Sequence, residues 1–235
     1  ENFLGQYVQE VLVEEFLVGE EYVVNTVAYN GQHYISDIWK YKWIWGDSKT
    51  AVRDTIKLIE FDGNIYNSLV QYTLSVVKAL GIKSGATHNE IMLTNNGPVI
   101  IESGARLMGG DFPAKFLKKC LGYSLVELAV MSYADPKRFE NYLNTIYSVK
   151  KNALVVCLIS HQHGKIKNLN HMLPLKQLRS FCGANTKGIG DEITLTTDQL
   201  TSPGMIFLAH ENEDILNHDY ELIRLLEKNN LFELL

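Results

Sequence analysis

Residues 86–113 read ATHNEIMLTNNGPVIIESGARLMGGDFP, and the fold turns on them. Two apolar runs, around Ile91–Leu93 and Val99–Ile101, flank a turn signal, Asn95-Asn96-Gly97-Pro98. A two-stranded ladder between the runs brings Glu90 and Glu102 toward each other, because opposed residues share a face. Two carboxylates opposed in this way repel unless something positive lies between them. Mg²⁺ suits that place, since it wants oxygen ligands and seldom takes more than two carboxylates. Arg106 follows on the turn beyond, and its planar fork fits a phosphoryl or acyl-phosphate oxygen. A surface hairpin with both acids in solvent is the plain alternative. Arg106 and the glycines Gly104, Gly109 and Gly110 weigh toward a site.

Composition narrows the classes around this block. The chain has 235 residues, 46% of them hydrophobic, enough for one large domain or two smaller ones. Charged residues make up 21% and the net charge is -5, which does not suit a phosphate-backbone binder. The adjacent basic pairs Lys118-Lys119 and Lys150-Lys151 read as solvated surface. No apolar run is long enough to span a bilayer, and the opening Glu1-Asn2 carries no signal-peptide pattern. Cys120, Cys157 and Cys182 are far apart and odd in number, against a disulfide framework. These features leave nucleic acid and membrane out as partners and point to the cytoplasm. With no initiator Met and a strand starting almost at once, the opening reads as a chain that begins inside a domain. A tag-cleaved complete protein is the alternative.

Along the chain, Val8–Leu17, Tyr22–Tyr29 and His33–Trp45 read as three consecutive strands, turning at Val18-Gly19 and Asn30-Gly31. Gly46–Lys57 is polar and reads as a loop over a site, carrying Lys49 and Arg53. Ile65, Leu69, Tyr72, Val76 and Leu80 fall at helical spacing, with Gly81 placed as a C-cap. A helix over Ala114–Leu121 stops at Gly122, and Ser124 caps another that ends before Asp135-Pro136. From Ala153 short strands (Ala153–Ser160, Met205–Ala209) alternate with turns before a closing helix, Asp214–Lys228. The expected class is α+β. Residues 1–150 would form an antiparallel sheet with flanking helices, and residues 151–235 a small α+β domain. Trp39, Trp43 and Trp45 read as sheet packing. Strand alternation lets at most one of Lys40 and Tyr41 point into a cleft. His161 and His163 read as surface histidines rather than a metal pair.

Taken in order, VEEFLVGEEY, ISDIWKYKW, GATHNEIML and GPVIIESGAR resemble the ATP-grasp superfamily. The branch they resemble is that of the carboxylate–amine ligases near the L-amino acid ligases. The likeness covers about Val11 to Pro113, and the final portion resembles the small C-terminal domain such ligases append. It implies ATP-dependent joining of a small-molecule carboxylate to an amine, amino acids foremost, through an acyl phosphate with release of ADP and phosphate. It implies ATP and Mg²⁺, or Mn²⁺ in its place, and is compatible with a homodimer. By motif position Glu14, Glu15, Phe16 and Leu17 would form the adenine-reading hinge, Glu15 and Leu17 by backbone and Phe16 by packing. Glu21 would hold the ribose, and Met92 would lie beneath the adenine. Glu90 and Glu102 would ligate the metal, Glu102 bridging two ions. Arg106 would hold the phosphoryl group and the substrate carboxylate, and His88 would face the transfer centre.

Some positions depart from the superfamily pattern. Gly104 stands where many members have a metal-ligating Asn, and Asn25 where relatives often carry an acid for a substrate amine. The smallness of Gly110 would leave room for a larger first substrate. The superfamily's phosphate-covering glycine-rich loop and two ATP-binding lysines have no counterpart before Val8. The sequence thus resembles the C-terminal half of a ligase and is expected to show weak or no catalysis in isolation. A D-alanine–D-alanine ligase-like or carboxylase-like reaction, and a non-catalytic nucleotide-binding module, stay open as alternatives.

Overall fold

A computed structural model describes residues 7, 9–45, 50–60, 63–143 and 145–235. Its first half runs β1 (Glu20–Tyr29), β2 (Gln32–Trp45), β3 (Ala51–Leu58), α1 (Gly63–Ala79), β4 (Gly85–Thr94) and β5 (Gly97–Gly104). Three helices follow: α2 (Ala114–Leu121), α3 (Leu125–Ala134) and α4 (Pro136–Leu143). The remainder comprises β6 (Asn152–Cys157), β7 (Gly164–Asn168), a 3-10 helix (Asn170–Gln177), β8 (Phe181–Thr186) and β9 (Glu192–Ile193), then β10 (Gly204–His210), α5 (Glu213–Lys228) and β11 (Glu233–Leu234). Eight strands form one sheet in the order β5-β4-β1-β2-β3-β6-β10-β8, and β11-β7-β9 form a small second one.

Local chemistry accounts for the elements that position the site. Asn30 and Gly31 take φ of 51 and 80, the left-handed pair that a two-residue hairpin needs between β1 and β2. β4 and β5 pair antiparallel from Thr94↔Gly97 back to His88↔Gly104, and Glu90 faces Glu102 across the ladder as the sequence indicates. α2 ends at Gly122, left-handed at φ 92, and Ser124 and Glu127 form a reciprocal capping box at the start of α3. Both helices lie where the sequence places them. α4, which the sequence reading omits, begins on Pro136 with Asp135 accepting from the Arg138 N–H at 3.2 Å.

The expected strand Val8–Leu17 does not form. Val8 lies outside the described residues, and residues 9–17 are irregular, with Val11, Leu12, Val13 and Phe16 exposed. Both edges of β1 are already taken, by β2 and β4, so the segment before it cannot pair beside β1. Gly19 brings this segment in past β4, where an added Cβ would stand 2.2 Å from the Leu93 carbonyl oxygen.

The expected loop Gly46–Lys57 is corrected as well. Residues 46–49, Lys49 among them, lie outside the described residues, and from Ala51 the chain is β3, a central strand between β2 and β6. A polar strand can be central here because its polar groups find partners. The register with β2 shifts between Lys42 and Trp43, leaving Asp54 as an extra residue. Arg53 then lies over the rings of Tyr41 and Trp43, while Asp54 turns to the opposite face. There it is fully buried and meets Lys42 at 2.9 Å, Arg224 at 2.6 Å and the Tyr220 hydroxyl at 3.0 Å. Arg224 also pairs with buried Glu227 at 2.6 Å, so α5 is tied to the middle of the sheet.

The sheet runs on through the residue 150/151 division, since Thr55, Ile56 and Lys57 of β3 pair with Val156, Val155 and Leu154 of β6. Strand alternation on β6 and β10 serves two cores. Val155, Cys157 and Phe207 join the core around Trp39 and Phe116, whereas Leu154, Val156, Ile206 and Leu208 pack with Leu216 and Ile223 of α5. The rings of Trp39, Phe112, Phe116 and Phe207 meet at centroid distances from 5.2 to 6.4 Å and join β2, α2 and β10. Of the tryptophan stripe, Trp39 is core, but Trp45 is 75% exposed. Leu225 of the closing helix is likewise exposed. No helix among the described residues is long and apolar enough to cross a membrane.

Trp39 donates its indole N–H to Asp37 Oδ1 at 2.5 Å, and Asn25 Nδ2 donates to the same oxygen at 2.6 Å. Asp37 Oδ2 is buried without a hydrogen-bond partner among the described residues, and burial pushes this carboxyl above the usual carboxylate range. A raised folded value means that folding favours the protonated acid. Its stabilising contribution is full below the unfolded chain's value, about 4, and is lost as pH rises through the folded value. Asp37→Asn keeps an acceptor for both donors and removes this loss, so its urea midpoint should gain on the wild type as pH rises from about 4; parallel pH curves would contradict it. Arg224→Leu strands two buried carboxylates and should cost about 3–5 kcal/mol in urea unfolding. A loss below about 1 kcal/mol, the size typical of an exposed pair, would show that the Asp54 cluster is not a clamp.

Candidate functional site

A cleft of about 520 Å³ opens on the sheet face that carries Glu90 and Glu102. Arg106, Met108 and Gly110 border it beyond β5, while Cys157 of β6 and Met205 of β10 form its far wall. Glu90 is the better buried of the two acids. Its Oε1 lies 3.2 Å from His88 Nε2 and 3.4 Å from the Tyr41 hydroxyl, which donates to it. The His88 contact holds this carboxyl below the usual range despite partial burial. Of Lys40 and Tyr41, then, Tyr41 is the one that points into the cleft.

A buried relay stands behind His88. Its Nδ1 is 2.9 Å from Asn25 Oδ1, and Asn25 Nδ2 reaches Asp37 Oδ1. The indole of Trp39 can only donate, so Asp37 Oδ1 is an acceptor, which fixes the Asn25 amide with its oxygen toward His88. His88 Nδ1 therefore donates, and its contact to Glu90 is a hydrogen bond when Nε2 also carries a proton. Asn25, at the position where relatives often carry an acid, is 2% exposed and inside this relay.

Glu102 is more open, and its Oε1 accepts from Arg106 Nη2 at 3.1 Å. Arg106 also donates to the Leu107 carbonyl at 3.1 Å. A Cβ on Gly104 would stand 3.3 Å from Arg106 Cγ, so the missing side chain gives Arg106 room to fold back to Glu102. Gly110 takes φ 88, where L side chains are strained, so its backbone demands glycine quite apart from pocket size.

Glu21 and Met92 are direct partners across β1 and β4, and both border a second cavity of about 530 Å³. Glu21 accepts from Trp43 Nε1 at 2.7 Å. Burial raises its carboxyl, and the charge of Glu90 adds to the shift. The four hinge candidates fall outside this arrangement. Glu14, Glu15 and Phe16 are exposed and Leu17 half-buried on irregular backbone. β1 and the β4–β5 pair thus gather Glu21, Met92, His88, Glu90, Glu102 and Arg106, but not residues 14–17.

Asp37 is the addition that structure makes to the site, while Tyr41 and Arg53, which the sequence reading places near a cleft, are brought to the acid pair by strands β2 and β3. Alternation along ISDIWKYKW already puts Asp37, Trp39, Tyr41 and Trp43 on one face, a signal that could have found Asp37. Among the described residues no group of three or more His, Cys, Asp or Glu gathers as a metal site, and His163 is exposed, 4.0 Å from Glu192. The pair Glu90 and Glu102 suits Mg²⁺ nonetheless, because that ion takes one or two carboxylates and fills its remaining positions with water and phosphate oxygens.

The ATP-grasp domain model matches residues 2–114. Dapdiamide A synthase of Enterobacter agglomerans is 32% identical over 235 positions, covering 95% of this chain and 53% of that protein. Among solved structures, the L-amino acid ligase from Bacillus licheniformis matches with a TM-score of 0.74 at 18% identity, over 89% of this chain and 53% of that one. Phosphoribosylglycinamide synthetase from Anaerococcus prevotii matches with a TM-score of 0.69 at 19% identity, over 94% of this chain and 54% of that one. The chain spans about half the length of these relatives. The large antiparallel sheet with flanking helices is the fold they share. Over residues 2–114 the chain is similar to ATP-grasp domains, and it resembles the carboxylate–amine ligases of that superfamily.

Proposed function

We propose that this chain is the metal- and ribose-binding part of an ATP-dependent ligase that joins a small-molecule carboxylate to an amine. Residues 1–150 would supply the metal acids, Glu21 and Met92, and residues 151–235 the small appended domain that lines the far wall of the cleft. The observation that carries the proposal is the register Glu90↔Glu102 with Arg106 reaching back to Glu102. Similarity to dapdiamide A synthase supports amino acids or their derivatives as the substrate class.

In this proposal Glu90 and Glu102 hold Mg²⁺, which would neutralise phosphate charge and orient the triphosphate. Glu21 accepts from the ribose hydroxyls, and Met92 offers an apolar floor to the adenine. The substrate carboxylate oxygen attacks the γ-phosphorus as the bond to the β-phosphate oxygen breaks, leaving ADP and an acyl phosphate. The amine then attacks the acyl carbon, gives up a proton, and phosphate departs. Such transfer depends on positioning and charge neutralisation more than on a strong base. Arg106 supplies a cation beside the acid pair, and its planar fork would hold the transferring group. His88, fixed by Asn25 and Asp37, sets the orientation of Glu90.

The test is ADP release by the full-length enzyme with panels of amino acid carboxylates and amines. Glu90→Gln and Glu102→Gln should each lower it at least about 100-fold while leaving the melting temperature near that of the wild type. Unchanged release in both variants would remove the acid pair from the mechanism. Absence of turnover with every pair would count against ligation itself. Gly110→Ala should lower stability by about 1–2 kcal/mol through its left-handed backbone. If it leaves stability intact but changes KM among substrates of different size, pocket volume rather than backbone governs that position.

A further inference from the structure

Arg53 is a charged group in the cleft that the proposed reaction leaves without a role. Its guanidinium carbon lies 3.8 Å over the Tyr41 ring and 4.8 Å over the Trp43 ring, and the residue is 9% exposed. Its Nε is buried with no hydrogen-bond partner among the described residues. The carboxylates on its face have other partners: Glu21 accepts from Trp43, Glu90 holds His88, and Glu102 holds Arg106, while Asp54 on the opposite face holds Lys42 and Arg224. Burying a cation without an anion or an acceptor is costly, and stacking on two rings fixes the group without satisfying its N–H donors. Buried Arg224 also leaves its Nε unpartnered, but its terminal nitrogens donate to Asp54 and Glu227, whereas Arg53 forms no ion pair among the described residues.

The position of Arg53 is built rather than incidental. The bulge in β3 sends it to the cleft face, and the Lys42, Tyr220 and Arg224 contacts to Asp54 hold that bulge from the other face. In the sheet order β5-β4-β1-β2-β3, Arg106 stands beyond the acid pair on the β5 side and Arg53 comes in from β3. The two guanidinium groups bracket Glu90 and Glu102, and Tyr41 links the inner one to Glu90 through its hydroxyl. Beyond Arg53 the cleft continues to Cys157 and Met205.

We propose that Arg53 is a receptor for an anionic oxygen pair of the bound substrate, on the side of the acid pair opposite Arg106. The pair is a carboxylate of the substrate or the oxygens of the transferring phosphoryl group; a planar fork accommodates either. The role rests on the ligase proposal, whereas the existence of the receptor does not.

The site can be examined in this chain labelled with ¹⁵N-arginine, following the Nε–H resonance of Arg53, assigned by its disappearance in Arg53→Lys. Succinate, butyrate and inorganic phosphate are titrated separately. A saturable shift is expected. A response to succinate alone assigns a second carboxylate of a diacid substrate, a response to both carboxylates assigns the reacting carboxylate, and a response to phosphate assigns the phosphoryl group. No saturable shift with any of the three overturns the receptor. In the full-length enzyme, Arg53→Met should lower kcat/KM for the carboxylate about 100-fold, with Arg53→Lys recovering part of it and KM for MgATP unchanged. Undiminished kcat/KM in a folded Arg53→Met enzyme likewise overturns it. If the wild-type enzyme turns over no pair at all, the ligase proposal fails, and the titration still decides the receptor.

Discussion

Two carboxylates are held face to face by a backbone ladder. Glu90 and Glu102 would separate if their side chains alone decided the matter, but pairing from His88↔Gly104 to Thr94↔Gly97 fixes them as neighbours on one face. The surrounding groups answer that concentration of charge. His88 and the Tyr41 hydroxyl meet Glu90, Arg106 meets Glu102, and the Asn25–Asp37 relay keeps His88 in place. Removing the opposition of the two acids would leave these contacts without a common purpose.

A second constraint is one inserted residue. Asp54 breaks the alternation of β3, so neighbouring Arg53 and Asp54 serve opposite faces of the sheet. On one face this aims a cation into the cleft. On the other it anchors α5 through Arg224, which lies 170 residues away in sequence. The C-terminal segment is thereby part of the same sheet and of the same cleft wall, while keeping a core of its own around Leu216 and Ile223.

What the sequence made legible was local. The β4–β5 turn, the register of its acids, the hairpin at Asn30-Gly31 and the caps at Gly122 and Ser124 each depend on residues close together in the chain. What it hid depends on distant partners. Residues 9–17 are rich in Val, Leu and Phe and read as a strand, yet β2 and β4 already occupy both edges of β1. β3 looks like a loop because Arg53, Asp54, Thr55 and Lys57 are polar, and its buried acid finds its cations only in the folded chain. The relay was partly visible in the alternation of ISDIWKYKW, but nothing local says that Asn25 turns inward to Asp37 rather than outward to a ligand.

The central claim is that the opposed acids form a divalent-metal site serving ATP. Paramagnetic Mn²⁺ added with ATP to this chain tests it directly, by selective broadening of nearby resonances. Broadening should centre on His88, Tyr41 and Gly104, which surround Glu90 and Glu102, and should disappear when both acids are replaced by glutamine. Broadening centred elsewhere, or unaltered by that double replacement, would contradict the assignment of Glu90 and Glu102 as the metal acids.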